Sequence, residues 1–196
     1  MEVQITEIPE VKVISPKRHR DDRGFLSEVY SKPTLADLGI SDDFVQENHT
    51  HSAKAGTVRG LHYQVPPHPA AKLVRVVRGA AFDVAVDLRR GSPTYGDHVS
   101  VILSADNWNQ LYIPRGFAHG FCTLDPDTDV TYRASALWQS ELDRGILWAD
   151  PRLAISWPVD LERAVLSSRD RELPSFAELS TPFSYGDDKL VRVTGR

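Results

Sequence analysis

The chain has 196 residues, a length that favours one domain and leaves room for a single β-sandwich or barrel. Its formal charge of −4 gives no reason to expect nucleic acid or an anionic membrane as partner, although a local cluster of Arg and Lys could still bind phosphate. Cys122 is the single cysteine, Met1-Glu2-Val3-Gln4 does not open a basic and then apolar leader, and no apolar run approaches the ~18 residues of a membrane span, so a soluble cytoplasmic protein is expected.

Along the chain the signals are those of short strands separated by turns. Thr34 to Leu38 carries a short helical signal, whereas Glu47 to Lys54 is polar throughout and reads as a loop, even though His49 and His51 alternate within it. Lys72 to Arg78 has the branched residues of a strand and ends at the Arg78-Gly79 turn. The clearest strand is Phe82 to Leu88: Phe82, Val84, Val86 and Leu88 share one strongly apolar side, and Asp83 and Asp87 take the other. His98 to Leu103, Gln110 to Ile113 and Val130 to Tyr132 follow, set apart by Gly91-Ser92-Pro93, Ser104 to Asn107 and Asp125-Pro126-Asp127.

A further turn is expected near Ser175 to Leu179, after Pro174. Thr181 to Arg196 has little apolar patterning, as suits a segment that is partly mobile or packs on a partner. Many short strands at this spacing predict an all-β sandwich or jelly roll with a few short peripheral helices. No repeat or boundary divides the chain, so one domain is expected over 1–196, with its core at about 10–160 and a segment of about 161–196 packing on or near the functional site.

Two histidines carry the chemistry. His62 lies in Arg59-Gly60-Leu61-His62-Tyr63-Gln64, and His119 in Pro114-Arg115-Gly116-Phe117-Ala118-His119-Gly120, which looks like the second half of a metal-cupin signature. A metal cupin places its first two histidines one residue apart on a strand so that both point the same way. Gln64 holds the second of those positions and is a poor ligand, while Lys72 stands near where an acidic ligand would be expected and would repel a cation. His19, His68 and His98 read as solvated surface groups. The pattern points away from a metal and toward proton chemistry. Taken singly, Lys72 reads as a solvent-facing strand end, Tyr132 as a half-buried strand tyrosine and Asp170 as a cap beside Ser168.

In combination these segments resemble the dTDP-4-dehydrorhamnose 3,5-epimerase family of sugar-nucleotide epimerases. The matching residues are Asp22 to Phe25 with Glu28, Phe44 to Asn48, Arg59 to Gln64, Ala71 to Val74, Asp83 to Arg89, Gly91 to Gly96 and Ile113 to Phe121. They continue with Thr131-Tyr132, Asp150-Pro151, Ile155 to Pro158 and Ser168 to Asp170, and the match spans most of residues 1 to about 180.

The resemblance implies a cupin-type jelly roll (a double-stranded β-helix), usually a homodimer, that needs no metal or organic cofactor. Its dTDP-sugar substrate would be dTDP-4-dehydro-6-deoxy-D-glucose, inverted at C3 and C5 through an enolate. It implies His62 as base, Asp170 as its orienting partner, Tyr132 as acid and Lys72 as the group facing the enolate oxygen. Arg23, Glu28, Gln46, Asn48, Arg59, His119, Trp138, Asp143 and Arg169 are the implied substrate contacts, arginine being suited to the diphosphate.

Departures from the family pattern bear on the product. Trp138 stands where the family commonly has a tyrosine associated with stacking on thymine, and Asp143 and Arg169 stand where glutamate and lysine are frequent. A single-site C3 or C5 epimerase, a non-catalytic sugar-nucleotide-binding jelly roll and a metal cupin are the competing readings. One geometric tension is also visible: on a regular strand His62 and Gln64 face one way and Arg59 the other, unless Gly60 introduces a bulge.

Overall fold

The fold is given by a computed structural model that describes residues 1–186. It is an all-β, cupin-like jelly roll. One sheet has six strands in the order β1 (Glu2–Ile5), β2 (Lys12–Ser15), β10 (Gln110–Ile113), β7 (Lys72–Arg78), β12 (Thr128–Ala134) and β5 (Gln46–Ser52). The facing sheet has five, in the order β13 (Asp143–Gly145), β6 (Val58–Gln64), β11 (Phe117–Thr123), β8 (Ala80–Asp87) and β9 (His98–Ser104). A separate hairpin is formed by β3 (Arg18–Asp21) and β4 (Gly24–Ser27).

Among the described residues helix is confined to α1 (Lys32–Asp37), α2 (Ser168–Arg171) and a 3₁₀ turn at Phe176–Glu178. Ser31 caps α1, and Ser175 with Glu178 closes a capping box on the 3₁₀ turn. Among the described residues no helix is long and apolar enough to cross a membrane.

The strands expected at Lys72–Arg78 and Gln110–Ile113 form residue for residue, and Val130 to Tyr132 is the middle of β12. Glu47 to Lys54, expected as a loop, is instead largely strand β5, paired with β12 from Gln46↔Ala134 to Ser52↔Thr128. Its alternation is real: Gln46, Asn48 and Thr50 are half-buried, while Glu47, His49 and His51 are exposed. Because the inward face is itself polar, no hydrophobic period betrays the strand.

Strand β8 has the two-sided pattern expected, and the structure adds which side faces inward. Val84, Val86 and Leu88 do form an apolar side, but it turns away from the space between the sheets and packs beneath Ile146, Leu153, Phe176 and Phe183. Asp83 and Asp87, with Ala81 and Ala85, take the inner side, and both carboxylates are fully buried. The inter-sheet core is built from Val74, Val76, Leu111 and Val130 on one sheet and Ala81, Ala85, Phe117 and Phe121 on the other.

The covering segment is anchored rather than loose over its described part. Thr181 Oγ1 donates to the Leu88 carbonyl at 2.6 Å, the Arg90 amide donates to the Phe183 carbonyl at 3.0 Å, and Phe183 is buried. Burying a phenylalanine stabilises by about 1.5–3 kcal/mol, which holds this stretch against the end of β8. Residues 187–196 of the predicted C-terminal segment lie outside the described residues. Of the remaining histidines, His19 and His68 are exposed as expected; His98 is half-buried, and burial pushes its imidazole pKa down.

Candidate active site

The site forms where β6 breaks its own regularity. His62 pairs with His119 and Arg59 with Phe121, so three steps on β6 match two on β11. That bulge places Arg59 and His62 on the same inner side and resolves the tension in the sequence. Gly60 sits at φ +136°, and a Cβ there would lie 2.4 Å from Gly120 Cα. Only glycine permits both that backbone and that approach.

His62 Nε2 lies 2.7 Å from Asp170 Oδ1. A carboxylate only accepts, so Nε2 carries the proton and Nδ1 becomes the basic atom of the ring. Asp170 is held at the third position of α2, its amide donating to Ser167 Oγ at 3.1 Å. Burial would push the Asp170 carboxyl up, but the hydrogen bond and charge of His62, with the Gly60 amide and Ser167, hold it below the usual carboxylate range.

Lys72 enters from the opposite sheet. Its Nζ is 3.5 Å from both the His62 carbonyl and His119 Nδ1, and 5.6 Å from the centre of the Tyr132 ring. Burial pulls the ammonium down to about 8, against the opposing charges of Asp143 and Asp83. His119 Nε2 reaches both Asp83 oxygens at 3.1 Å, which leaves Nδ1 as an acceptor facing Lys72. Burial lowers the His119 pKa, partly offset by Asp83.

Tyr132, on β12, faces the same interior. Burial and then the charge of Asp143 raise its phenol, opposed by Arg59 and a hydrogen bond with Asn48, so it remains a proton donor at neutral pH. A histidine oriented by a carboxylate on one sheet thus faces a protonated phenol and a lysine on the other. Such a cleft can move a proton off one face of a ligand and onto the other.

A family model described as dTDP-4-dehydrorhamnose 3,5-epimerase matches residues 5–178. The chain belongs to this epimerase family. A dTDP-4-dehydrorhamnose 3,5-epimerase of Sinorhizobium fredii is 48% identical over 189 residues, 94% of each chain. The solved epimerase of Bacillus anthracis, with TDP and PPi bound, superposes with a TM-score of 0.86 at 48% identity, covering 89% of this chain and 98% of that one. The Legionella pneumophila epimerase, in complex with dTDP-4-keto-L-rhamnose, gives 0.87 at 42% identity, covering 91% and 94%.

Most of the residues expected at the family's site converge here. Gln46 Nε2 donates to Asn48 Oδ1 at 3.0 Å, and Asn48 is the cross-strand neighbour of Tyr132. Arg59 Nη2 donates to the His51 carbonyl at 3.0 Å. Asp143 pairs with Arg169 at 2.6 Å on β13, beside β6. Trp138 is 60% exposed, its amide donating to Gln46 Oε1 at 2.9 Å. A groove of about 510 Å³ shares Asp143 and Arg169 with this candidate cleft, but His62, Lys72 and Tyr132 do not line it.

Arg23 and Glu28 are not brought to this cleft. Arg23 pairs with Asp21 at the tip of the β3–β4 hairpin, and Glu28 accepts from Thr34 Oγ1. The hairpin packs through Phe25 on Trp108, over which Arg75 lies on the outer side of the six-stranded sheet. Asp83, paired with His119, was not among the residues expected in this cleft. An aspartate flanked on its own side of the strand by two alanines, Ala81 and Ala85, was the available signal.

Proposed function

We propose that the protein is a dTDP-4-dehydrorhamnose 3,5-epimerase, converting dTDP-4-dehydro-6-deoxy-D-glucose to dTDP-4-dehydro-L-rhamnose. The observation that carries this reading is the placement of a carboxylate-oriented imidazole and a protonated phenol on facing sheets, with Lys72 between them.

The C4 ketone acidifies the hydrogens at C3 and C5, because either carbanion is delocalised onto the carbonyl oxygen. His62 Nδ1 takes the proton and Asp170 stabilises the imidazolium. The Lys72 ammonium stabilises the developing enolate oxygen, and Tyr132 returns a proton from the opposite face. Each inversion moves one proton onto His62 and one off Tyr132, so both groups must re-equilibrate before the next. No step in this mechanism calls for a metal or an organic cofactor.

Arg59 and Arg169 are proposed for the diphosphate, with Gln46, Asn48 and Asp143 on the sugar and nucleoside. The Trp138 indole would stack on the base, although it lacks a phenol hydroxyl. His119, buried against Asp83, serves Lys72 more directly than substrate.

A homodimer is part of the reading. The hairpin exposes Phe25 and Leu26, at 44% and 77%, and Arg23 and Glu28 would meet a substrate only across a subunit boundary. A cytoplasmic location completes it.

NMR of the 4-keto sugar with the protein in heavy water tests the reaction. Deuterium should enter C3 and C5 with inversion at both. No exchange at either carbon would sink the proposal, and inversion confined to one carbon would replace it with a single-site epimerase.

A further inference from the structure

Gln64 follows His62 by two residues on β6, and its side-chain amide is engaged by backbone groups. Nε2 donates to the Leu137 carbonyl at 3.1 Å and to the carbonyl of His68, and Oε1 accepts the Gln139 amide at 2.9 Å. The residue between, Trp138, gives its amide to Gln46 Oε1 at 2.9 Å. Three consecutive residues are therefore pinned by two glutamines reaching from facing sheets. Buried apolar contact does not do this job: the Leu137 and Trp138 side chains are 61% and 60% exposed.

The chemistry at position 64 is selective. Gln64 is 8% exposed and must supply two donors and an acceptor at once. Glutamate has no donor when ionised, and neutral histidine offers only one donor and one acceptor. The position that could have ligated a metal in a related barrel instead braces a loop.

We infer that Gln64 is a positioning residue that fixes the Leu137–Gln139 segment, and with it the Trp138 indole, against β6 and β5. Its effect on turnover rests on the proposed function; its effect on Trp138 does not.

The test uses the full chain with Gln64→Met, which keeps volume and removes all polar atoms, and Gln64→Glu, which keeps the acceptor and loses the donors. Trp138 fluorescence anisotropy is read as the difference between each variant and the same variant carrying Trp138→Phe, without substrate. Steady-state kinetics on the 4-keto sugar give the second readout.

Anisotropy should fall in both variants, and KM should rise about tenfold, with a smaller change in kcat. An unchanged Trp138 signal would overturn the inference, as would a loss carried by kcat with KM unmoved. If Gln64→Met does not fold, Gln64→Glu decides. A wild-type protein that exchanges no deuterium would defeat the proposed function, while the anisotropy comparison would still decide the role of Gln64.

Discussion

Two aspartates on β8, Asp83 and Asp87, are both fully buried, yet they build different things. Asp87 is saturated: it accepts from the Arg89 amide at 2.9 Å and guanidinium at 2.7 Å, and from the Ser92 and Thr94 hydroxyls at 2.6 and 2.8 Å. Burial would raise its pKa, but those donors hold it low. Arg89 also lies 4.6 Å from the centre of the Phe117 ring and bonds to Glu10. Among the described residues Asp83 meets only an imidazole, which faces Lys72 at 3.5 Å, and Lys72 has no carboxylate at ion-pair distance. A charge cluster with every group satisfied braces a fold; one that leaves a cation underused is poised for a ligand.

The contrast can be broken by substitution. His62→Ala should lower deuterium exchange about 10²–10⁴-fold, measured by NMR, with the folded state retained. Asp87→Ala should do the reverse. Leaving Arg89 buried beside a vacancy should cost about 3–5 kcal/mol in urea unfolding, with exchange by the folded fraction preserved.

Gly60→Ala probes the bulge that opens the first cluster. Its Cβ would meet Gly120, so a loss of about 1–3 kcal/mol is expected, with activity falling further than stability as Arg59 and His62 move apart.

The smallest effect sharpens the comparison most. A reaction that needs Lys72 as ammonium is fullest below pH of about 8 and declines above it. Asp83→Asn removes a charge that favours the ammonium, so the alkaline limb of kcat/KM should move to lower pH. Asp87→Asn should leave that limb in place.

What was legible in the sequence follows from the same physics. Strands with one apolar side, such as Lys72–Arg78, declare themselves; β5 does not, because both its faces are polar, one to solvent and one to the site. The two sides of β8 were legible but not their orientation, since alternation tells which residues share a side and not which side faces the interior of a two-layered core. His62 was conspicuous by its neighbours, whereas Asp170, 108 residues away, emerged only through family resemblance. Gln64 was legible as a polar residue two steps from His62, but its partners at His68, Leu137 and Gln139 belong to loops whose paths no periodicity encodes.

The central claim is that base and acid act from opposite sheets. Tyr132→Phe in heavy water tests it by following deuterium entry and inversion separately at C3 and C5. Removal of the acid should leave His62 able to take a proton and return deuterium to the same face, so exchange should outlast inversion. Equal loss of the two, or inversion at the wild-type rate, would contradict the assignment.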